Sequence, residues 1–249
     1  MTDLKIKKKN MNSLKHKILF YVIFSSNVAL LFISAYIQPL DLNNQLIHRN
    51  GFSLSYNEKH EQPNWVFYKI LPSDIQCIIK AKRKNRFKPD LEILSESAGL
   101  IDYYKSGFDR GHLKPSADEL CDQSQMNETF LMSNMSPQTP GFNRGIWKSL
   151  ESHVRGLIKS NDSLYVYTAG VLSNGLPTIG MNKVSVPEKY YKVIYKFKDG
   201  NISTESYIIP NSRSEHSFDK YQTSVLEVEK ITGIDFPNCM ISFSLPLKN

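Results

Sequence analysis

The pattern of apolar and polar positions predicts a protein rich in β-strands. Several stretches alternate or run apolar, contain aromatic and β-branched side chains, and end in turn residues, as is typical of strands. These stretches are 51–56, 65–68, 164–170, 191–197 and 206–209. The last two flank Lys198-Asp199-Gly200-Asn201, and this sequence predicts a hairpin turn.

Two segments have helical periodicity. Between Asn143 and Ser160 the apolar residues recur on one helical stripe, and Asn143 itself is a suitable N-cap. The stripe consists of Ile146, Leu150, Val154, Leu157 and Ile158. A second helix is expected over residues 217–230, with Tyr221, Val225 and Val228 on one side and its end near Gly233. Strands dominate and no βαβ rhythm is present, so we expect an α+β fold.

The first fifty residues differ from the rest of the chain. Residues 1–17 contain six lysines and one aspartate, so they carry five of the seven net positive charges. Residues 18–37 contain no charge and are long enough for a helix to cross a bilayer. A preceding lysine cluster keeps the N-terminus cytoplasmic. We therefore expect a basic tail (1–17), an uncleaved signal anchor (18–37), a polar linker (38–50) and one domain (51–249). A cleaved signal peptide, which would release a secreted protein, is the alternative.

The net charge and the cysteine content of the domain say little about its function or its cellular compartment. Most of the basic character belongs to the tail, and the remaining chain has a net charge of only +2. The run of basic residues over 80–88 is a candidate nucleic-acid surface, although a solvated loop is the competing interpretation. Cys77, Cys121 and Cys239 match no zinc or CxxC pattern. We expect three unpaired cysteines, with one disulfide as the alternative.

Candidate chemistry is concentrated in two segments. His112 lies in Asp109-Arg110-Gly111-His112, and the glycine lets the backbone approach a neighbour closely. A nearby carboxylate could orient the imidazole, which could then take a proton from water near neutral pH. We expect the other five histidines to be structural.

The helix over 143–160 supplies the second group. Glu151 and Arg155 are four residues apart and share a helical face, although a surface salt bridge would look the same. Asn143 lies two turns earlier, and an asparagine with a carboxylate suffices for Mg²⁺, which prefers oxygen ligands and keeps several waters. Together these groups are what metal-assisted cleavage of a phosphodiester requires.

The ordered motifs resemble the DNA/RNA non-specific endonuclease family, which includes endonuclease G and secreted bacterial sugar-non-specific nucleases. They are Asp109-Arg110-Gly111-His112-Leu113, the segment 129–138, and Asn143 followed by Trp147, Leu150 and Glu151. The similarity extends from about residue 51 to about residue 246. It implies a ββα-metal nuclease fold with a central, mostly antiparallel sheet flanked by helices.

The resemblance also implies roles for individual residues. His112 corresponds to the general base, Asn143 to the direct Mg²⁺ ligand, and Glu151 to a group that binds the metal through coordinated water. Mn²⁺ is the alternative metal. Asp109 and Asn134 correspond to supporting residues near the histidine and the metal.

Several cations correspond to phosphate-binding residues. Arg110 would contact the substrate phosphate, and Arg155 would stabilise the charge that develops on it. One further arginine of the family aligns with Arg83, and gaps leave Arg86 or Lys82 as alternatives. Lys82 and Arg86 are in any case candidates for nucleic-acid binding.

The sequence therefore predicts a Mg²⁺-dependent endonuclease that hydrolyses DNA and RNA, with its domain outside the cytoplasm, either membrane-anchored or secreted. A non-catalytic surface module for nucleic-acid binding or uptake and a phosphodiesterase for small phosphate esters are the alternatives. A monomer and a homodimer are both compatible with the sequence.

Overall fold

A seven-stranded antiparallel sheet organises the protein, in the order β1-β2-β3-β6-β9-β10-β11. The computed structural model describes residues 45–94 and 97–236. The strands of the sheet are β1 (Gln45–His48), β2 (Ser53–Asn57), β3 (Gln62–Ile70), β6 (Ser163–Gly170), β9 (Lys189–Lys198), β10 (Asn201–Pro210) and β11 (Gln222–Thr223). Each of the five predicted strands has a counterpart here, which confirms the α+β class.

Two small sheets and a set of helices complete the described residues. The small sheets pair β4 (Asp109–His112) with β5 (Met135–Gln138), and β7 (Thr178–Ile179) with β8 (Val184–Ser185). The α-helices are α1 (Pro72–Ile75), α2 (Leu100–Tyr103), α3 (Gln123–Glu128), α4 (Lys148–Leu157) and α5 (Val225–Thr232). Short 3₁₀ turns occur at Ser116–Asp118, Met132–Asn134, Ile158–Ser160 and Phe218–Tyr221.

The hairpin between β9 and β10 has the predicted turn. Asp199 and Gly200 both have positive φ, 50° and 76°. Two successive residues with positive φ define the type I′ turn, whose twist matches that of antiparallel strands.

One face of the sheet is covered by a helical segment that begins with a π-helical turn, Phe142–Trp147, and continues into α4. Ile146, Leu150, Val154 and Ile158 are buried, as the helical stripe predicted. The Phe142 ring stacks on Tyr190 of β9 at 5.0 Å between centroids. On the opposite face of the sheet, the ring of Phe236 lies 5.3 Å from that of Tyr167.

The prediction that Asn143 caps this helix is wrong. The backbone N–H of Asn143 already donates a hydrogen bond to the Thr139 carbonyl at 2.9 Å. The helical turn therefore begins before Asn143. Pro140 does not prevent this, because proline is tolerated in a first turn where no backbone donor is needed. Gly145 then breaks the helical geometry, with φ −103° and ψ −109°, between the turn that carries Asn143 and α4.

The predicted helix over 217–230 is also interrupted. Gln222 and Thr223 form β11 on the edge of the sheet, opposite Tyr207 and Ser206. The α-helix therefore starts only at Val225, where the Ser224 hydroxyl accepts from the Glu227 amide at 3.1 Å. It ends at Gly233 in the left-handed conformation, as the sequence predicted.

Two further features differ from expectation. β1 lies within the segment expected to be a linker, where Leu46 and Ile47 pair with Ser55 and Leu54 of β2. Cys77 and Cys121 form a disulfide, so the expectation of unpaired cysteines is wrong for this pair. Backbone hydrogen bonds between their two chain segments bring the Cα atoms to 5.7 Å.

Other predictions concern residues outside the described part of the chain. The basic tail, the apolar segment 18–37 and Cys239 all lie there. Among residues 45–94 and 97–236, none of the helices has the length and apolar character needed to cross a membrane.

Gly111 lets β4 and β5 approach each other closely. It is paired with Ser136, and a Cβ atom at position 111 would overlap the side chain of Gln138. The strand that carries Arg110 and His112 is thereby seated against β5.

We predict that Gly111→Ala destabilises the protein by about 1–3 kcal/mol, because the methyl group forces the two strands apart. Gly156→Ala is the matched control: Gly156 lies in α4 with open space around it, and alanine there should stabilise by up to about 1 kcal/mol. Chemical denaturation of both variants measures the difference. Equal effects would show that the β4–β5 approach is not tight.

Candidate functional site

A cleft of about 490 Å³ opens between β4 and the helical segment that contains α4. It brings together six residues predicted from the sequence: Arg83, Arg110, His112, Asn143, Glu151 and Arg155. Arg144 and Lys148 also line it. The cleft is thus built where a two-stranded sheet meets a helix, and its lining is strongly basic.

His112 stands between two aromatic rings. Its imidazole lies 5.6 Å from the ring of Phe87 and 4.8 Å, edge to face, from that of Phe130. The side chain is half-buried, and its Nε2 atom is buried without a hydrogen-bond partner. Burial, reinforced by the positive charge of Arg83, lowers the pKa of His112 to about 3. The imidazole is therefore neutral near pH 7 and has a free lone pair.

Asp109 connects the two sides of the cleft. Its carboxylate accepts a hydrogen bond from Asn143 Nδ2 at 2.9 Å and two from Arg144 at 2.6 and 2.8 Å. Burial alone would raise the pKa of Asp109, but these hydrogen bonds outweigh burial and lower it. Because the amide nitrogen of Asn143 is bound to Asp109, its Oδ1 atom is left for another partner.

The carboxylate that precedes His112 in sequence does not orient the imidazole. Asp109 and His112 are three residues apart in β4, so their side chains leave the strand on opposite faces. The supporting role expected for Asp109 is consistent with its position, but its contacts are to Asn143 and Arg144 rather than to the histidine.

Two arginines are held over aromatic rings at the cleft. The guanidinium of Arg110 lies 4.5 Å above Phe87, and that of Arg83 lies 5.4 Å above Phe130. The Nε atom of Arg110 is buried without a partner. Among the three candidates for the upstream arginine, Arg83 lines the cleft, whereas Lys82 and Arg86 are exposed and lie outside its lining.

Glu151 and Arg155 both line the cleft from α4, but they do not form a mutual salt bridge in the described structure. Arg155 instead pairs with Asp118 at 2.8 Å, and Asp118 is only 2% exposed. Burial raises the pKa of the Glu151 carboxyl, and the positive charges of Lys192, Arg155 and Arg83 act against this rise. Asp118 raises it further.

Asn134 is fully buried and lies outside the cleft lining. Its Oδ1 atom accepts from the Lys114 amide at 2.9 Å, while Nδ2 donates to the carbonyls of Lys114 and Thr129, also at 2.9 Å. These bonds fix the chain immediately after His112. Asn134 therefore supports the backbone that follows His112 and does not contact the imidazole itself through these bonds.

Four residues of this region were not singled out in the sequence. No role was predicted for Arg144, Lys148, Asp118 and Lys192, and the fold places them at or beneath the cleft. Asp118 and Lys192 are buried charged residues, and local sequence does not distinguish such residues from exposed ones.

The donor atoms suit a hard divalent cation. Asn143 contributes an amide oxygen and Glu151 a carboxylate on the same cleft wall. No cluster of three or more His, Cys, Asp or Glu residues able to hold a metal occurs among the described residues. Two oxygen-donating residues are sufficient for Mg²⁺, which keeps several of its waters.

Comparison with known proteins identifies the family of the chain. The model of the DNA/RNA non-specific endonuclease family matches residues 33–240. The chain is 33% identical to a nuclease of Nostoc sp. (strain PCC 7120 / SAG 25.82 / UTEX 2576) over 83% of this chain and 80% of that protein. It is 32% identical to nuclease C1 of Cunninghamella echinulata var. echinulata, with coverages of 76% and 81%.

Endonuclease G is similar in both sequence and structure. The human mitochondrial protein is 29% identical, with coverages of 79% of this chain and 71% of that protein. A solved structure of EndoG in complex with EndoGI superposes with a TM-score of 0.76 and 31% identity, over 85% of this chain and 92% of that chain. The family is typically metal-dependent. The chain belongs to the DNA/RNA non-specific endonuclease family and is a nuclease that hydrolyses phosphodiester bonds.

Proposed function

We propose that the protein is a Mg²⁺-dependent endonuclease that cleaves both DNA and RNA within the cleft described above. The observation that carries the proposal is that His112 and Asn143 line one basic cleft: the lowered pKa of His112 keeps its imidazole neutral, and the bond from the Asn143 amide nitrogen to Asp109 leaves the amide oxygen for a cation. A base and a cation ligand in one basic cleft are the minimum needed to hydrolyse a phosphodiester.

The residues of the chain have separable roles in this proposal. His112 takes the proton of the attacking water, since its imidazole lines the cleft. Arg110 and Arg83 hold non-bridging phosphate oxygens, and Arg155 opposes the negative charge that develops at phosphorus. Attack opposite the 3′ oxygen leaves a 5′-phosphate and a 3′-hydroxyl, as the family resemblance implies.

Asn143 and Glu151 would hold the cation. When bound, Mg²⁺ would supply positive charge to the leaving oxygen. Asp109 determines which atom of Asn143 is presented, because it accepts from the amide nitrogen and leaves the carbonyl oxygen exposed to the cleft.

Lack of sequence preference follows from the nature of the lining. Arginine and lysine contacts to phosphate position a nucleic acid without reading its bases. Arg83, Arg110 and Arg155 are of this type, and the exposed Lys82 and Arg86 would extend the contact along the strand. DNA and RNA share this phosphate backbone, so both are proposed as substrates.

The two alternatives predict different behaviour. A non-catalytic binding module would retain nucleic acid without cutting it, and it has no need of an unpartnered histidine beside a cation ligand. A phosphodiesterase for small esters would cleave short substrates and would not be inhibited by long polymers. The family membership and the basic cleft favour the endonuclease.

The proposed location is outside the cytoplasm, by anchoring or release through residues 18–37. The apolar segment behind a lysine cluster supports export. The Cys77–Cys121 disulfide supports it as well, because disulfides persist mainly in oxidising compartments. The mass of the native protein distinguishes a retained anchor from a cleaved signal peptide.

We predict that His112→Ala reduces the rate of plasmid and RNA cleavage about 10²–10⁴-fold, because the attacking water loses its base. EDTA should abolish the activity of the unmodified protein. His216→Ala is the control, since His216 is exposed and lies outside the cleft lining. Cleavage by His112→Ala at the unmodified rate, with the fold intact by circular dichroism, would refute the role of His112.

We further predict that His112 makes the protein sensitive to acid. Its pKa is lowered in the folded state, so the unfolded chain binds the proton more readily below the ordinary pKa of 6.5. The stability that neutral His112 contributes is present above that pH and is lost progressively as the pH falls toward about 3. The difference in unfolding free energy between the unmodified protein and His112→Ala should therefore shrink from pH 7 to pH 4. A constant difference would contradict the lowered pKa.

A further inference from the structure

Lys192 is a buried cation beneath the cleft. It lies in β9 with no exposed surface, and its Nζ atom has no hydrogen-bond partner. Burying an ammonium group without hydrogen bonds is costly, so such a group requires an explanation. A methionine of similar length would fill the same space without this cost.

Aromatic rings surround the ammonium group. Nζ lies 4.7 Å from the ring centroid of Trp147 and 5.9 Å from that of Tyr68. Cation–π attraction offsets part of the cost of burial. The contact with Trp147 also places Lys192 next to the start of α4. Trp147 immediately precedes that helix and lies one helical turn before Glu151.

The charged neighbours of Lys192 belong to the active site. Burial lowers the pKa of Lys192 to about 8; the negative charges of Glu151 and Asp118 act against this fall, and the positive charge of Arg155 adds to it. Burial raises the pKa of the Glu151 carboxyl, and the positive charge of Lys192 acts against that rise. Arg155 is already held by Asp118 at 2.8 Å. The two negative charges of Glu151 and Asp118 thus balance the two positive charges of Lys192 and Arg155. Without Lys192 these residues would retain one uncompensated negative charge.

We propose that Lys192 is a positioning residue of the nuclease, whose buried charge acts from beneath α4 to hold the Glu151 carboxylate in place for cation binding. This inference rests on the proposed function, since it assigns Lys192 a role through Glu151. Lys192 itself is not among the residues that line the cleft.

A double-mutant cycle on stability tests whether the two charges act on each other. Lys192→Met, Glu151→Gln and the double variant are unfolded thermally as full-length protein without metal or substrate. We expect non-additivity: the double variant should unfold about 5 °C or more above the temperature that the sum of the single shifts gives. If Lys192→Met does not fold, recovery of a folded double variant supports the coupling. Additive shifts, or failure of both variants to fold, would overturn it.

Kinetics on plasmid DNA with MgCl₂ tests whether the coupling serves catalysis. Lys192→Met should lower kcat about tenfold and leave KM within about twofold, because the scissile phosphate still meets the cleft arginines. Lys196→Met is the matched control. Lys196 lies on the same face of β9 and pairs with Glu205 at 2.6 Å, away from the cleft, so kcat should stay within about twofold.

The two measurements separate the possible failures. An unchanged kcat in Lys192→Met would overturn the positioning role even if the stabilities couple. If the unmodified protein cleaves no nucleic acid, the proposed function fails, and the metal-free unfolding cycle still decides whether Lys192 acts on Glu151.

Discussion

The carboxylate of Asp109 holds together the two structures from which the cleft is made. It belongs to β4, the strand that carries Arg110 and His112, and it accepts hydrogen bonds from Asn143 and Arg144 on the adjoining helical turn. Gly111 makes this geometry attainable, because any larger residue would overlap Gln138 and lift the strand from β5. The base and the cation ligand are therefore positioned by one shared contact.

Beneath this contact, charge is balanced in a region that water hardly reaches. Asp118 is nearly fully buried and holds Arg155, while Lys192 is fully buried with its Nζ atom 4.7 Å from the ring of Trp147. Such pairs contribute little net stability, because the cost of removing charges from water offsets their attraction. The role proposed for them is instead to determine where Glu151 and Arg155 of α4 point.

Much of the fold was predictable because it depends on local pattern. The strands, the hairpin turn at Asp199-Gly200 and the buried stripe of α4 follow from periodicity and turn chemistry. β11 was not predictable, since pairing with β10 overrides the helical pattern around Gln222. The disulfide between Cys77 and Cys121 depends on segments 44 residues apart in sequence, which no local pattern reports.

The candidate site shows the same division. His112, Asn143, Glu151 and Arg155 were identifiable from motifs, and the structure brings them to one cleft. The hydrogen-bond partners of Asp109, which are Asn143 and Arg144, were not identifiable from the sequence. Strand alternation directs the Asp109 side chain away from His112, its expected partner. Asp118 and Lys192 were missed since a buried charge looks like any other charged residue in a sequence.

The central claim is that the imidazole of His112 and the amide oxygen of Asn143 serve one cation and one phosphate. Paramagnetic broadening by Mn²⁺ of the histidine resonances tests it directly, because the broadening falls steeply with distance. The account predicts that the His112 signals broaden well before those of His216, and that Asn143→Ala abolishes this selectivity. Unbroadened His112 signals in a protein that cleaves DNA with Mn²⁺ would contradict the account.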